Sequence, residues 1–126
     1  MPKQIHHSPS APPAAGPYSV ATEAAGLVFV SGQVGIDPAT KRVVEGGVAA
    51  ECHQVMTNIT AILGDLGLGL DDIAKTTIFL ADIADFGTVN EVYGGYVGDS
   101  KPARSTFQVG ALPLGVQVEI EVVAAR

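Results

Sequence analysis

Val48, Cys52, Val55, Ile59, Ile62 and Leu66 step along the chain by four, three, four, three and four residues, the spacing of one apolar helix stripe. They predict a helix over 48–66 that stops at Gly67, with Gly64, Gly67 and Gly69 as its C-cap and turn rather than a phosphate loop, because they follow a helix and not a strand. Cys52 belongs to that stripe and reads as a small core residue. A second stripe, Phe86, Val89, Tyr93 and Tyr96/Val97, predicts a helix capped by Asp82 or Asp85 and running to about Val97. Asn90, four after Phe86, lies at the stripe's edge, where it is either bonded locally or faces a site.

The remaining segments have strand character. Residues 1–17 are rich in Pro, Ala and Ser and read as extended. Ser19 to Ala24 and Leu27 to Ser31 read as strands joined by Ala25-Gly26. Leu27-Val28-Phe29-Val30 is apolar without alternation, which predicts burial on both faces, and Ser31-Gly32-Gln33 interrupts it. Asp37 to Lys41 is a turn, and Ile73 to Leu80 a strand rich in Thr, Ile and Phe. Strands Arg104–Val109 and Val116–Ala125, linked by Leu112-Pro113-Leu114-Gly115, finish the chain. The order β-β-α-β-α-β-β is an α+β plan with two helices on one face of a mixed sheet.

Two helices leave the other sheet face uncovered. Val116, Val118, Ile120 and Val122 share one side of the last strand, Gln117, Glu119, Glu121 and Val123 the other. Pairing the apolar faces of the last two strands places Arg104 and Thr106 on the face of Glu119, away from the helices. Leu27–Val30 and Ile73–Leu80 add apolar residues to that same face, and the simplest cover for it is another copy of the chain. The expectation is a homo-oligomer with polar sites at its interfaces.

At 126 residues the chain is expected to form one domain over 1–126. No apolar run reaches the length of a membrane span, and no basic region followed by a hydrophobic segment opens the chain, so no membrane partner and a cytoplasmic location are expected. The formal charge of −6, with no Lys/Arg cluster, disfavours nucleic acid. Cys52 is alone, which excludes an intrachain disulfide. His6 and His7 lie in the leader and His53 on a helix without a second ligand at helical spacing, so no metal site is expected. Of the three arginines, Arg104 stands out, because it opens a strand just after Pro102. A guanidinium against apolar surface calls for a partner, and its planar fork matches a carboxylate, whether of the protein or of a ligand.

Gly16-Pro17-Tyr18-Ser19, Ser31-Gly32-Gln33, Asn58-Ile59 with Ile62-Leu63, Lys75 to Leu80, Asp85-Phe86 with Asn90 and Tyr93, Pro102-Ala103-Arg104-Ser105, Leu112-Pro113 and Val118 to Glu121 together resemble the RidA/YjgF family of enamine/imine deaminases. Any one of these tripeptides is weak, whereas their order and spacing over essentially the whole chain are specific. The resemblance implies a chorismate-mutase-like fold, a homotrimer with sites between subunits, no cofactor for the deaminase, and hydrolysis of 2-aminoacrylate and related 2-imino acids to 2-keto acids and ammonia. It also implies that Arg104 holds the substrate carboxylate and Glu119 positions the attacking water. By the same resemblance Tyr18 lines the pocket, Ser31 and Gly32 border the substrate, and Asn90 lies near the site. Thr106 stands where many members carry cysteine; a backbone N–H contact survives that change, but a thiol does not.

Three readings follow. The first is the imine deaminase. The second is a non-catalytic binder of small carboxylates, for which Arg104 suffices and Glu119 is unnecessary. The third is an RNA-cleaving translation inhibitor, against which the acidic balance counts. A structural Arg104–Glu119 ion pair is the bland alternative to a site.

Overall fold

The computed structural model of the chain describes residues 2–126. Strands β1 (Gln4–His6), β2 (Ala21–Ala24), β3 (Leu27–Gln33), β6 (Ile73–Leu80), β7 (Ala103–Gln108) and β8 (Val118–Ala125) form one sheet, while β4 (Ile36–Asp37) and β5 (Arg42–Val43) make a small hairpin. The large sheet has the order β1-β2-β3-β8-β6-β7. Among the described residues its only parallel pair is β6 with β7; every other neighbour is antiparallel. Helices α1 (Gly47–Asp65) and α2 (Phe86–Val97) lie on one face.

The core is the seam between that face and the two stripes. Val28, Val30, Ile78, Leu80, Val118, Ile120 and Val122 of the sheet meet Cys52, Val55, Met56, Ile59, Ile62 and Leu63 of α1 and Val89, Tyr93 and Val97 of α2, all buried. Each fully buried aliphatic side chain contributes about 1.5–3 kcal/mol relative to exposure. Helix α1 ends where the glycine pattern places its end: Gly67 takes φ 76 and the Leu68 N–H closes on the Leu63 carbonyl at 2.8 Å. Of the two cap candidates, Asp82 is the one that acts. Its carboxylate accepts from the Ala84 N–H at 2.9 Å and starts a single 3₁₀ turn, Ile83–Asp85, that runs into α2.

Two expectations need correction. The leader is extended but also pairs: β1 is an edge strand against β2, and the segment is tied down further on. Ser8 Oγ donates to Asp65 Oδ2 at 2.7 Å, and Ser10 donates to the same carboxylate through N–H and Oγ at 3.1 and 2.9 Å. Those bonds hold the Asp65 carboxyl below the usual carboxylate range. Strand β3, in turn, is not buried on both faces. Val28 and Val30 face the helices, whereas Leu27 and Phe29 are 37% and 42% exposed on the other side.

That other side is the uncovered face. Registry puts Ile5, Thr22, Phe29 and Val123 in one row across it, and Phe107, Phe79 and Glu119 in another. Phe79 and Phe107 stack with ring centroids 6.4 Å apart, and Phe107 is 50% exposed. Among the described residues nothing covers this aromatic sheet face. Among the described residues no helix is long and apolar enough to cross a membrane.

Candidate active site

Strand β3 carries a bulge. Val30 pairs with Val122 and Gln33 with Ile120, so β3 spends one residue more than β8 over the same stretch. The extra length is Ser31-Gly32, the interruption visible in the sequence. Ser31 is fixed there: its N–H donates to the Val20 carbonyl at 2.9 Å and its hydroxyl to the Ser19 carbonyl at 2.6 Å. Gly32 serves by lacking a side chain. A Cβ on it would lie 2.9 Å from Cδ and 3.2 Å from Cγ of Glu119, so the Glu119 carboxylate rests directly on the bulge.

Tyr18, Ser31, Gly32 and Glu119 line one cavity of about 510 Å³, walled by Val20, Val34, Ile36, Pro113, Leu114 and the leader residues Pro12 to Ala15. The Tyr18 hydroxyl accepts from the Ala15 N–H at 3.4 Å, linking ring and leader. Burial, and secondarily the negative charge of Glu121, pushes the Glu119 carboxyl above its ordinary value. A carboxyl so placed exchanges a proton nearer neutral pH than a solvated one.

Arg104 and Asn90 lie elsewhere, lining a second cavity of about 420 Å³ with Tyr93, Gly94, Val97, Gly98, Lys101 and Pro102. The guanidinium lies 5.6 Å from the Phe86 ring centroid and 5.3 Å from that of Tyr93. Both distances are within cation–π reach. Among the described residues no carboxylate and no hydrogen-bond acceptor meets it. Ring contact supplies no hydrogen-bond acceptor and so leaves the guanidinium N–H donors unspent. Thr106, two residues on, shares this side of β7, and its hydroxyl is enclosed without a partner.

The expectation that Arg104 and Thr106 share the face of Glu119 is therefore wrong. Thr76 pairs with Arg104 and Ile78 with Thr106, on the helix side of the sheet, whereas Phe79 pairs with Glu119 on the open side. That expectation follows only if the apolar face of β7 turns toward the helices. Phe107 instead turns to the open face, which is itself apolar, and the polar face of this edge strand turns under α2, where two rings accommodate a guanidinium. An Arg104–Glu119 ion pair within one chain is excluded by the same registry. The residues singled out from sequence thus form two groups, Tyr18, Ser31, Gly32 and Glu119 in one and Asn90, Arg104 and Thr106 in the other.

Several contributors were missed. Phe86 and Tyr93 were read as core stripe residues; their spacing of seven on α2, two turns on one face, was the available signal that they bracket something. Thr76, fully buried, accepts the Tyr93 hydroxyl at 2.9 Å. Glu51, buried on α1, accepts the Gln117 N–H at 2.9 Å and fixes the approach to β8. The leader walls had no signal beyond proline content. Among the described residues no three His, Cys, Asp or Glu side chains gather as a metal site.

The family model described as Endoribonuclease L-PSP matches residues 8–126. The chain belongs to this family, the RidA/YjgF family. It is 47% identical over 126 residues to the protein DfrA of Myxococcus xanthus, covering 98% of this chain and 96% of that protein. It is 47% identical over 124 residues to the 2-iminobutanoate/2-iminopropanoate deaminase of Bos taurus, covering 98% and 90%. The solved structure of E. coli TdcF with bound serine superposes with a TM-score of 0.91 at 36% identity, covering 98% of each chain. The RidA relatives thus carry different names on one fold, and several are named imino-acid deaminases.

Proposed function

We propose that this RidA-family chain hydrolyses 2-aminoacrylate and related 2-imino acids to 2-keto acids and ammonia, in a homotrimer whose sites join the Arg104 cavity of one copy to the Glu119 cavity of its neighbour. One observation carries the reading. A guanidinium with free donors and a carboxyl of raised pKa lie on opposite faces of one sheet, so a shared ligand requires two chains. The uncovered aromatic face supplies the surface for assembly. Relatives named as deaminases support the reaction, and the serine bound to TdcF supports a small amino-acid-like ligand.

The chemistry asks little of the protein. The enamine tautomerises to its imine; water adds to the imine carbon; the carbinolamine expels ammonia and leaves the ketone. Arg104 receives the substrate carboxylate with two parallel N–H bonds. Glu119 takes the proton of the attacking water and returns it to the departing nitrogen, a cycle suited to a carboxyl of raised pKa. Tyr18, Ser31 and Gly32 border the imine carbon, Asn90 flanks the carboxylate, and the Thr106 backbone adds an N–H at the open edge of β7. The endoribonuclease reading lacks electrostatic support at a net charge of −6.

Subunit mixing tests this. Arg104→Ala and Glu119→Gln should each lose imine hydrolysis while keeping wild-type assembly by light scattering. Co-refolded in equal amounts, the two inactive variants should regain about a quarter of wild-type activity, because random pairing gives that share of intact interfaces in a cyclic oligomer. No recovery from the mixture, or no acceleration of keto-acid formation by the wild-type protein, would overturn the proposal.

A further inference from the structure

Thr76 and Tyr93 of the RidA chain close a triangle with Arg104. Thr76 is its cross-strand neighbour in the β6–β7 register. Tyr93, on α2, donates its hydroxyl to Thr76 Oγ1 at 2.9 Å, a bond closed off from solvent by residues 0% and 4% exposed. The Tyr93 ring in turn lies 5.3 Å from the Arg104 guanidinium, with Phe86 on the same helix face at 5.6 Å. Strand pairing, a buried hydrogen bond and ring contact thus link sheet to helix and helix back to the arginine.

The triangle meets a specific need. An arginine has four rotatable side-chain bonds, and among the described residues this one has no acceptor to choose among its rotamers. Rings fix the plane of a guanidinium but not its rotation within that plane, and a ring free to tilt fixes neither. Any tilt of Tyr93 that moves its hydroxyl off Thr76 is costly, because breaking that bond leaves two buried polar groups unpaired. Burial also pushes the Tyr93 phenol up, so it remains a donor across the physiological range. Phenylalanine would pack in the same space without this restraint.

We infer that Thr76 and Tyr93 act as one positioning unit that sets the guanidinium of Arg104 for a ligand carboxylate. The inference rests on the reading of Arg104 as the carboxylate-binding residue and adds two residues that act through it.

The test uses the full-length protein with Tyr93→Phe, Thr76→Val, Thr76→Ser and the Tyr93→Phe/Thr76→Val double variant. Tyr93→Phe and Thr76→Val should each raise KM for the imino acid about 3- to 10-fold with kcat within about two-fold, the pattern of lost ground-state and transition-state binding alike. Thr76→Ser keeps the acceptor and should restore the wild-type KM. The double variant should be no worse than either single one, since both remove the same bond. Wild-type KM in both single variants, or multiplied effects in the double variant, would overturn the inference, as would failure of Thr76→Ser to rescue. A second readout does not depend on turnover. The Arg104 Nε–H resonance, shifted by two flanking rings, should move toward the free-arginine position in Tyr93→Phe and Thr76→Val and stay in Thr76→Ser. A moved resonance in a protein without deaminase activity sinks the functional reading and leaves the positioning unit standing. Unmoved resonances in an active protein sink the unit alone.

Discussion

Gly32→Ala tests the seat of Glu119 with one methyl group. Its Cβ would lie 2.9 Å from Glu119 Cδ, where ordinary contact begins at 3.4 Å, and the carboxylate oxygen lies nearer still. The backbone is not the obstacle, since Gly32 is not among the positive-φ glycines. The group that yields is the end of a flexible, partly exposed side chain, so the carboxylate should retreat by on the order of 1 Å, a displacement that costs about 10²-fold in rate when the group is catalytic. That is about 2.7 kcal/mol of transition-state stabilisation. Thermal stability should change little. The assay generates a 2-imino acid in situ with an amino-acid oxidase and follows its conversion to keto acid against the uncatalysed rate, with melting temperature and mass measured on the same sample. Gly64→Ala is the control: nothing lies within 4 Å of a Cβ there, it is on the exposed side of α1, and it should leave activity unchanged while stabilising by about 0.5–1 kcal/mol. If Gly32→Ala turns over within about three-fold of wild type, the carboxylate's placement on the bulge is not what matters.

Other outcomes follow from the same structure. Cys52 is fully buried and its thiol is pushed up to about 11, so a thiol reagent should label it only on unfolding, and fast labelling of the native protein would contradict its core placement. Phe107→Asp puts a charge on the uncovered aromatic face; light scattering should find a smaller species that has also lost activity, and an active assembly of wild-type mass would refute the role given to that face. Asp65 is held below its unfolded value by Ser8 and Ser10, so its contribution is present above that value and lost as pH falls through the folded one. Asp65→Asn should therefore lose less stability than wild type on acidification below about pH 4, read from melting temperatures, and parallel curves would deny the leader's anchorage.

Periodicity resolves elements better than it resolves neighbours. The stripe from Val48 to Leu66 places α1 to within a residue, because a helix that buries one face has only one phase consistent with six apolar positions. The Asp82 cap and Gly67 stop were legible for an equally local reason. Strand pairing is not local. Nothing in Gln4–His6 distinguishes an edge strand from an extended leader, since a three-residue edge needs little sequence of its own. Alternation in β7 separates Arg104, Thr106 and Gln108 from Ser105 and Phe107, but which set turns inward depends on what covers it. The usual rule that the apolar set turns inward fails when both sheet faces are apolar, and Phe29, Phe79 and Phe107 make the open face so. The candidate residues were singled out by their motifs; their division into two groups required the register.

That division bears on function more directly than a shared face would have. Had Arg104 and Glu119 met within one chain, a structural ion pair would have explained both, and nothing would have required a ligand. Separated by the sheet, each is left with an unmet demand. The guanidinium has donors without acceptors, and the carboxyl resists ionisation because it is sheltered without a cation beside it. A neighbouring copy that docks on the aromatic face and brings its Arg104 toward Glu119 answers both demands at once. It would also lower the Glu119 pKa again, and a bound carboxylate, by neutralising the arginine, would let it rise. The acid–base group would then respond to the arrival of substrate, and the pH profile of kcat should be displaced to higher pH than that of kcat/KM, which reports the free enzyme. Coincident profiles would mean that Arg104 and Glu119 do not sense each other, and with that the composite site would lose its electrostatic rationale.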